Sequence, residues 1–244
     1  MIMLFTDFGL NGPYVGQMQA AIYGVNPTAR VINLFANAPG FNPRASAYLL
    51  AAYVDYVPAA TVFLAVIDPG VGSAQRQPVV VSVEDRYFVG PDNGLFDVLG
   101  TRARSAAKTE ILWRPANLSA SFHGRDLFAP IAAHLDQRTV PGDWLGPVQP
   151  FIVDDVAADL YEVIYVDDYG NAMTGVRASE LPPAAVIGVN GQALNRARTF
   201  ADVLPGQAFW YENSNGLMEL AVNCGSAAKQ LSLQIGTKVE VLPK

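Results

Sequence analysis

Asp68 and Arg76 are the two residues whose types and spacing point most directly to chemistry. An apolar run from Thr61 to Ile67 predicts a buried, parallel-type strand, and Asp68 ends it. A Pro69-Gly70-Val71-Gly72 turn follows at once, and the chain returns through Ser73-Ala74-Gln75-Arg76 into a second apolar strand, Pro78 to Val83. A carboxylate at the carboxyl end of a strand stands where open α/β sheets bind their ligands. A guanidinium eight positions further on, across a glycine turn, can face the same pocket. The competing reading is a surface turn whose Asp68 only bonds nearby backbone N–H groups.

Other candidates are spread along the chain. Asp7 also falls just past a strand end. Phe122-His123-Gly124-Arg125-Asp126 precedes an apolar helix from Leu127 to Leu135, which puts His123 on a loop at a helix start. A histidine there is a proton-transfer group or an inert loop residue; His134, late in the helix, reads as structural or surface. Asp167-Asp168-Tyr169-Gly170-Asn171 sets an acid pair, a ring and an amide directly after a strand. Taken alone, that segment reads first as a β-turn using Asp and Asn for local bonding, and Asn213-Ser214-Asn215-Gly216 reads as a hairpin turn. Phe200, in Thr199-Phe200-Ala201-Asp202, is a loop aromatic that either stacks on a base or caps a barrel, and Asn223-Cys224 ends a later strand.

The elements that must carry these residues alternate in the first part of the chain. Ile2–Phe5 predicts a strand, Tyr14–Val25 a helix stopped by Asn26-Pro27, Arg30–Leu34 a strand, and Pro43–Tyr56 an Ala-rich helix ended by Pro58. Val79–Val83 and Arg86–Val89 bracket a hairpin-like turn at Glu84-Asp85, and Gly90-Pro91-Asp92-Asn93-Gly94 leads into a helix over Leu95–Leu99. Strands alternating with helices predict a layered α/β domain with a mostly parallel sheet. No G-x-G-x-x-G follows a strand, so a dinucleotide fingerprint is absent. Pro141–Pro150 reads as a linker. Beyond it Leu160–Val166, Ala185–Val189, Gln207–Tyr211, Met218–Val222 and Lys238–Leu242 predict a smaller all-β domain, a barrel or sandwich, with one helix at Ala227–Leu231. The expected division is 1–150 and 151–244.

Composition narrows the classes. Of 244 residues 51% are hydrophobic and 16% charged, which suits a globular chain with a sizeable core. The net charge is −6 without a basic run, so a nucleic-acid partner is not expected. With two histidines and one cysteine, Cys224, neither a metal framework nor an internal disulfide is expected. Asp7 interrupts any leader, and Asp55 and Pro58 break the longest apolar region, so no signal peptide or membrane span is expected and a cytoplasmic enzyme fits best.

Taken together and in order, the motifs resemble the S-adenosyl-L-methionine (SAM) hydroxide adenosyltransferase family, the SAM hydrolases related to fluorinase and chlorinase. The resemblance rests on Thr6-Asp7-Phe8-Gly9, Tyr14-Val15-Gly16, Asp68 to Ser73, Gly90 to Gly94, Phe122 to Asp126, Tyr169-Gly170-Asn171, Thr199 to Asp202 and Asn213 to Gly216. It implies an N-terminal α/β domain, a C-terminal β-barrel, and a homotrimer whose sites lie between one subunit's N-domain and a neighbour's C-domain. The implied reaction is attack of water or hydroxide on ribose C5′, giving adenosine and L-methionine, with SAM as substrate and no cofactor or metal. It assigns the water to Asp68, Arg76 and His123 and leaves open whether Asp68 or His123 is the base. It further implies that Asp7 takes the ribose hydroxyls, that Phe41 lies near the ribose and that Phe200 lies beside adenine. Asp167, helped by Asn171 and with Tyr169 close by, would hold the methionine ammonium, Ser214 and Asn215 its carboxylate, and the backbone at Asn223 and Cys224 the adenine edge. The chain departs from the pattern at Gly12, where relatives usually carry an acid, and at Asn37-Ala38, which lacks a histidine common after the second strand. Two alternatives remain: a non-catalytic SAM- or adenosine-binding protein, and a halide-adding enzyme, which the Asp68 carboxylate opposes by repelling an anion.

Overall fold

In the computed structural model, residues 1–73 and 76–243 are described; Ala74, Gln75 and Lys244 lie outside them. The chain divides into two units, one of residues Met1–Ala47 and Val57–Val156, the other of Tyr48–Tyr56 and Ala157–Lys244.

The first unit is built on β1 (Ile2–Thr6), α1 (Tyr14–Val25), β2 (Val31–Phe35), the start of α2 (Pro43–Tyr53), β3 (Val62–Val66), β4 (Pro78–Val83), β5 (Arg86–Pro91), α3 (Asp97–Arg102), β6 (Ala106–Glu110), α4 (Ala129–Gln137) and β7 (Gln149–Pro150). Its strands form one sheet in the order β2-β1-β3-β5-β4-β6-β7. β1 and β3 are buried along their whole length, which is why both read as unbroken apolar runs. Alternate residues serve opposite faces. Ile2, Leu4, Val62, Leu64 and Val66 join Met18 and Ile22 of α1 and Ile131 and Ala132 of α4 in one core. Phe5 and Phe63 point the other way, Phe5 onto Phe35 and Phe63 stacked on Phe88 at 4.9 Å.

The sheet is parallel only in part. β2, β1, β3 and β5 run parallel, whereas β4, β6 and β7 add antiparallel pairings. The reason is the turn at Glu84-Asp85, where Glu84 takes a positive φ of 51° and β4 doubles straight back into β5, a connection open only to antiparallel strands. Since β3 runs with β5, β4 begins at the end of the sheet where β3 stops. Asp68 and Arg76, each two residues from its strand, therefore lie at the same end of the sheet. The Pro141–Pro150 stretch is no free linker but part of this unit: Trp144 stacks on Trp113 at 4.1 Å, His134 meets the Trp144 ring edge-on, and β7 pairs with β6.

The second unit contains β8 (Leu160–Val166), β9 (Ala172–Arg177), β10 (Ile187–Val189), β11 (Gln192–Leu194), β12 (Ala208–Glu212), β13 (Leu217–Val222), α5 (Ala227–Gln230) and β14 (Glu240–Val241). Its pairings make a three-stranded sheet, β11-β10-β14, and a four-stranded sheet, β12-β13-β9-β8, both antiparallel. Isolated bridges link their margins, Glu162 with Lys238 and Arg196 with Trp210. Val163, Val176, Ile187, Leu194, Met218, Leu220 and Trp210 share one core. Trp210 is fully buried, its indole N–H donating to the Ala185 carbonyl at 2.9 Å. Among the described residues no helix is long and apolar enough to cross a membrane.

Candidate active site

Each unit holds an open cavity lined by residues singled out above. The first, of about 470 Å³, is lined by Asp7, Phe8, Tyr14, Gln17, Phe41, Val66, Asp68, Val71, Ser119, Ser121, Phe122, His123, Gly124 and Arg125.

Asp68 follows β3 by two residues, and its side chain is only 7% exposed. Its Oδ1 accepts from Arg76 Nη1 at 3.2 Å and from the Gly70 N–H at 3.3 Å. Gly70 leaves room for that contact: a Cβ there would lie 2.8 Å from Arg76 Cζ, so the guanidinium would have to shift. Asp68 Oδ2 has no partner among the described residues. The Gly90–Gly94 segment fixes the strand end beneath. Asn93 Nδ2 donates to the carbonyl of Ile67 at 2.8 Å, and a Cβ on Gly90 would sit 2.1 Å from the Ala65 carbonyl oxygen, so only glycine lets β5 approach β3 here.

Asp7 ends β1, beside Asp68. Its Oδ2 accepts the Phe41 N–H at 2.9 Å. Burial raises the Asp7 carboxyl above its ordinary range, the Phe41 N–H works against this, and the Asp68 charge adds to the rise. Phe41 takes a φ of 55°, a left-handed conformation costly for an aromatic residue, and its ring is 81% exposed. A bulky ring held in that state by a carboxylate bond is presented to the cavity, not packed away.

His123 caps a single π-helical turn, Gly124–Phe128, that runs into α4. Such turns recur at functional sites because they displace one residue from the regular helix. The neighbouring pair is pinned: Arg125 Nε and Nη2 both bond Asp126, Nη1 bonds Gln17 of α1 at 2.8 Å, and Asp126 also accepts the Ser119 N–H. Arg125 thereby keeps the Asp126 carboxyl below its usual range. Phe8, Tyr14 and Phe122 meet one another edge-on at 5.4–5.9 Å and form an aromatic wall.

The second cavity, about 660 Å³, is lined by Asp167, Tyr169, Asn171, Met173, Phe200, Tyr211, Asn213, Ser214, Glu219, Val222, Cys224 and Gly225. Asp167 is held by Asn171, whose backbone N–H and side-chain amide donate to its two carboxylate oxygens at 2.8 and 3.1 Å. The turn between them needs Gly170, at φ +85°, where a Cβ would strike the Ser226 hydroxyl. Tyr169 projects with 82% exposure. A reciprocal capping box between Thr199 and Asp202 presents Phe200, whose ring meets Phe209 and Tyr211. Ser214 lines the cavity while Asn215 stands at its margin. Asn223 also stands outside the lining: its amide donates to Val203, and its backbone N–H and carbonyl already pair with Gln207 and Gly206. Cys224, at φ 55°, and Gly225 line the cavity here.

The structure thus gathers Asp7, Phe41, Asp68 and His123 in one cavity, with Arg76 reaching it through Asp68, and Asp167, Tyr169, Asn171, Phe200, Ser214 and Cys224 in another. It adds Gln17, Tyr211 and Glu219, which lie outside the motifs, and Arg125, which lies within one but without an assigned role. Glu219 had a visible signal, a lone acid inside the otherwise apolar Leu217–Val222 strand. Among the described residues no group of three or more His, Cys, Asp or Glu is placed to hold a metal ion.

The N-terminal domain of the SAM hydroxide adenosyltransferase family matches residues 2–144, and its C-terminal domain matches residues 161–240. The chain belongs to this family. Among similar proteins, the (R)-S-adenosyl-L-methionine hydrolase of Salinispora tropica is 36% identical over 98% of this chain and 97% of its own. The enzyme of the same name from Thermus thermophilus is 36% identical over 99% of both. A fluorinase of Actinopolyspora mzabensis matches at 22% over 99% of the chain and 96% of its own. The crystal structure of an uncharacterised conserved protein from Thermotoga maritima superposes with a TM-score of 0.87 at 34% identity, covering 100% of both chains. At Gly12 a Cβ would stand 3.2 Å from the Tyr14 ring, so a larger side chain there would have to displace that ring slightly.

Proposed function

We propose that the protein hydrolyses SAM to adenosine and L-methionine. The observation that carries this is the Asp68–Arg76 pair at the mouth of the cavity that also holds His123 and Asp7, in a chain whose full-length relatives are named SAM hydrolases. The oxygen of a water attacks C5′ as the C5′–S bond breaks, and the bonding pair returns to sulfur, leaving neutral methionine. The sulfonium is already a good leaving group, so catalysis lies in holding the water in line and taking its proton. Asp68 Oδ2 is free to hold that water, Arg76 steadies the carboxylate and offsets the developing hydroxide charge, and the proton goes to Asp68 or to His123 before release to solvent. No metal or cofactor is needed for these steps. Asp7 holds the ribose hydroxyls, with Phe41 against the sugar. Phe200 lies beside adenine, with Cys224 at the adenine edge; Asn223, whose own N–H and carbonyl are already paired, supports the segment that carries it. Asp167, set by Asn171, takes the ammonium next to Tyr169, and Ser214 and Asn215 take the carboxylate. Halide addition is disfavoured because the buried Asp68 charge would repel the incoming anion. Incubation with SAM followed by chromatography should yield adenosine and methionine in equal amounts; 5′-halo-5′-deoxyadenosine instead, or binding without turnover, would overturn the assignment.

The working form is a homotrimer in which one copy's first cavity meets a neighbour's second. Support comes from the split of the proposed contacts: water and ribose groups line one cavity, amino-acid and base groups the other. Activity per chain should fall on dilution in step with loss of the oligomer in sedimentation; full activity from a monomer would refute the arrangement. Within the second unit, the bridges Glu162–Lys238 and Arg196–Trp210 support closure of the two sheets into one barrel. A cytoplasmic setting suits a charged substrate that does not cross membranes unaided.

A further inference from the structure

Glu219 is a carboxylate with no evident task in the scheme above. It lies mid-strand in β13, 2% exposed. Register places it between Tyr211 of β12 and Met173 of β9, so all three share the sheet face that lines the second cavity. Tyr211 donates its hydroxyl to Oε1 at 2.8 Å, and Asn213 its amide to Oε2 at 2.7 Å. Neither Glu219 nor nearby Asp167 has an ion pair among the described residues. A buried carboxylate is costly unless compensated, and here the buried Glu219 and the half-buried Asp167 border one cavity with only neutral donors bonded to them. The other ionisable groups facing Glu219 are tyrosines, Tyr211 and, from α2, Tyr53, and neither can supply a positive charge. The missing countercharge must come from the ligand.

We propose that Glu219 is a positioning and specificity residue for the cationic amino-acid end of the substrate. It doubles the negative charge that the ammonium meets beyond Asp167 and locks Tyr211 and Asn213, which shape the wall. This rests on the SAM-hydrolase reading and goes beyond it, since the ammonium was there assigned to Asp167 alone. Burial pushes the Glu219 carboxyl up, the Asn213 and Tyr211 bonds pull it down, and the Asp167 charge pushes it up again. A cation arriving in the cavity relieves that repulsion.

The test is calorimetric binding to the full-length protein of three probes: SAM, SAM with hydrogen in place of the ammonium, and adenosine. Glu219→Gln, nearly isosteric, should weaken SAM about tenfold or more, the scale of a charge interaction in a partly dry pocket. Affinity for the deaminated probe and for adenosine should stay unchanged, and kcat at saturating SAM should stay within about twofold. Tyr211→Phe, which keeps the charge but removes one of its anchors, should shift SAM binding the same way by a smaller factor and keeps the question open to test if Glu219→Gln misfolds. Equal losses for all three probes would make Glu219 merely structural, and unchanged SAM binding would leave it no role; either result overturns the proposal while the hydrolase reading stands. A wild-type protein that binds no SAM sinks both.

Discussion

Replacing Asp68 or His123 by alanine should lower kcat by about 10²–10⁴-fold while leaving SAM affinity within a few-fold. Both side chains are proposed to act on the water, whose charge changes on the way to the transition state, and contacts that strengthen only there appear in kcat. The structure makes the contrast with Asp7 sharp. Asp7 already has one oxygen engaged by the Phe41 N–H, and its proposed bonds to the ribose hydroxyls persist through the reaction. Asp7→Ala should therefore act mainly on KM, by the worth of one or two charge-assisted bonds at roughly 1.5–3 kcal/mol each, or about tenfold and more. It also frees Phe41 from its left-handed conformation, which adds to the loss of binding. Steady-state kinetics with calorimetric SAM binding on the three variants measures the split. Near-normal kcat in Asp68→Ala would remove the water-handling role and favour a protein that only binds SAM.

The second large effect is on stability. Trp210→Ala should destabilise the second unit by about 3–5 kcal/mol, the usual cost of deleting a fully buried large aromatic. The substitution leaves a cavity in the core that Trp210 shares with Leu194, Leu220 and Val222, of which Leu220 is its partner across the β12–β13 pair. It also orphans the Ala185 carbonyl and removes the ring over which the Arg196 guanidinium lies at 5.0 Å. Against a typical total of roughly 5–15 kcal/mol this is a large fraction. The chain lends itself to the measurement, because its other tryptophans, Trp113 and Trp144, both belong to the first unit. In urea, circular dichroism of the variant should show an early transition that the fluorescence of Trp113 and Trp144 does not share. A dichroism midpoint equal to that of the wild type would show that the indole is not a keystone of this core.

What could be read from sequence was whatever rests on local pattern. β1 and β3 are apolar throughout because both sheet faces are covered, and the acids that follow them, Asp7 and Asp68, therefore stood out at strand ends. The glycine turn to Arg76 and the Phe122–Asp126 motif before α4 were legible for the same reason. The antiparallel half of the sheet was less so: β6 is Ala-Ala-Lys-Thr-Glu, half-buried and without alternation, and β7 is two residues long. The Trp144 segment looked like a linker because Pro and Gly mask a stacking contact with a residue 31 positions earlier. In the second unit β9 and β11 went unread, since Gly175 and the short Gln192–Leu194 run lack a strand's usual signature. At the site, Phe41 carries no local mark at all. Its place depends on a carboxylate 34 residues away, and long-range hydrogen bonds leave no trace in periodicity. Gln17 and Arg125, 108 residues apart, meet in the same way.

The opposite directions of β3 and β4 bear on how this site can change over time. Asp68 lies two residues past one strand and Arg76 two residues before the other, both at the same sheet end, so the pair is positioned by strand ends, not by the path between them. Residues inserted after Ser73 would cost little, since doubling a loop's length adds only about 0.6 kcal/mol of closure entropy. A longer connection would therefore be expected to leave the carboxylate and the guanidinium in register at their strand ends.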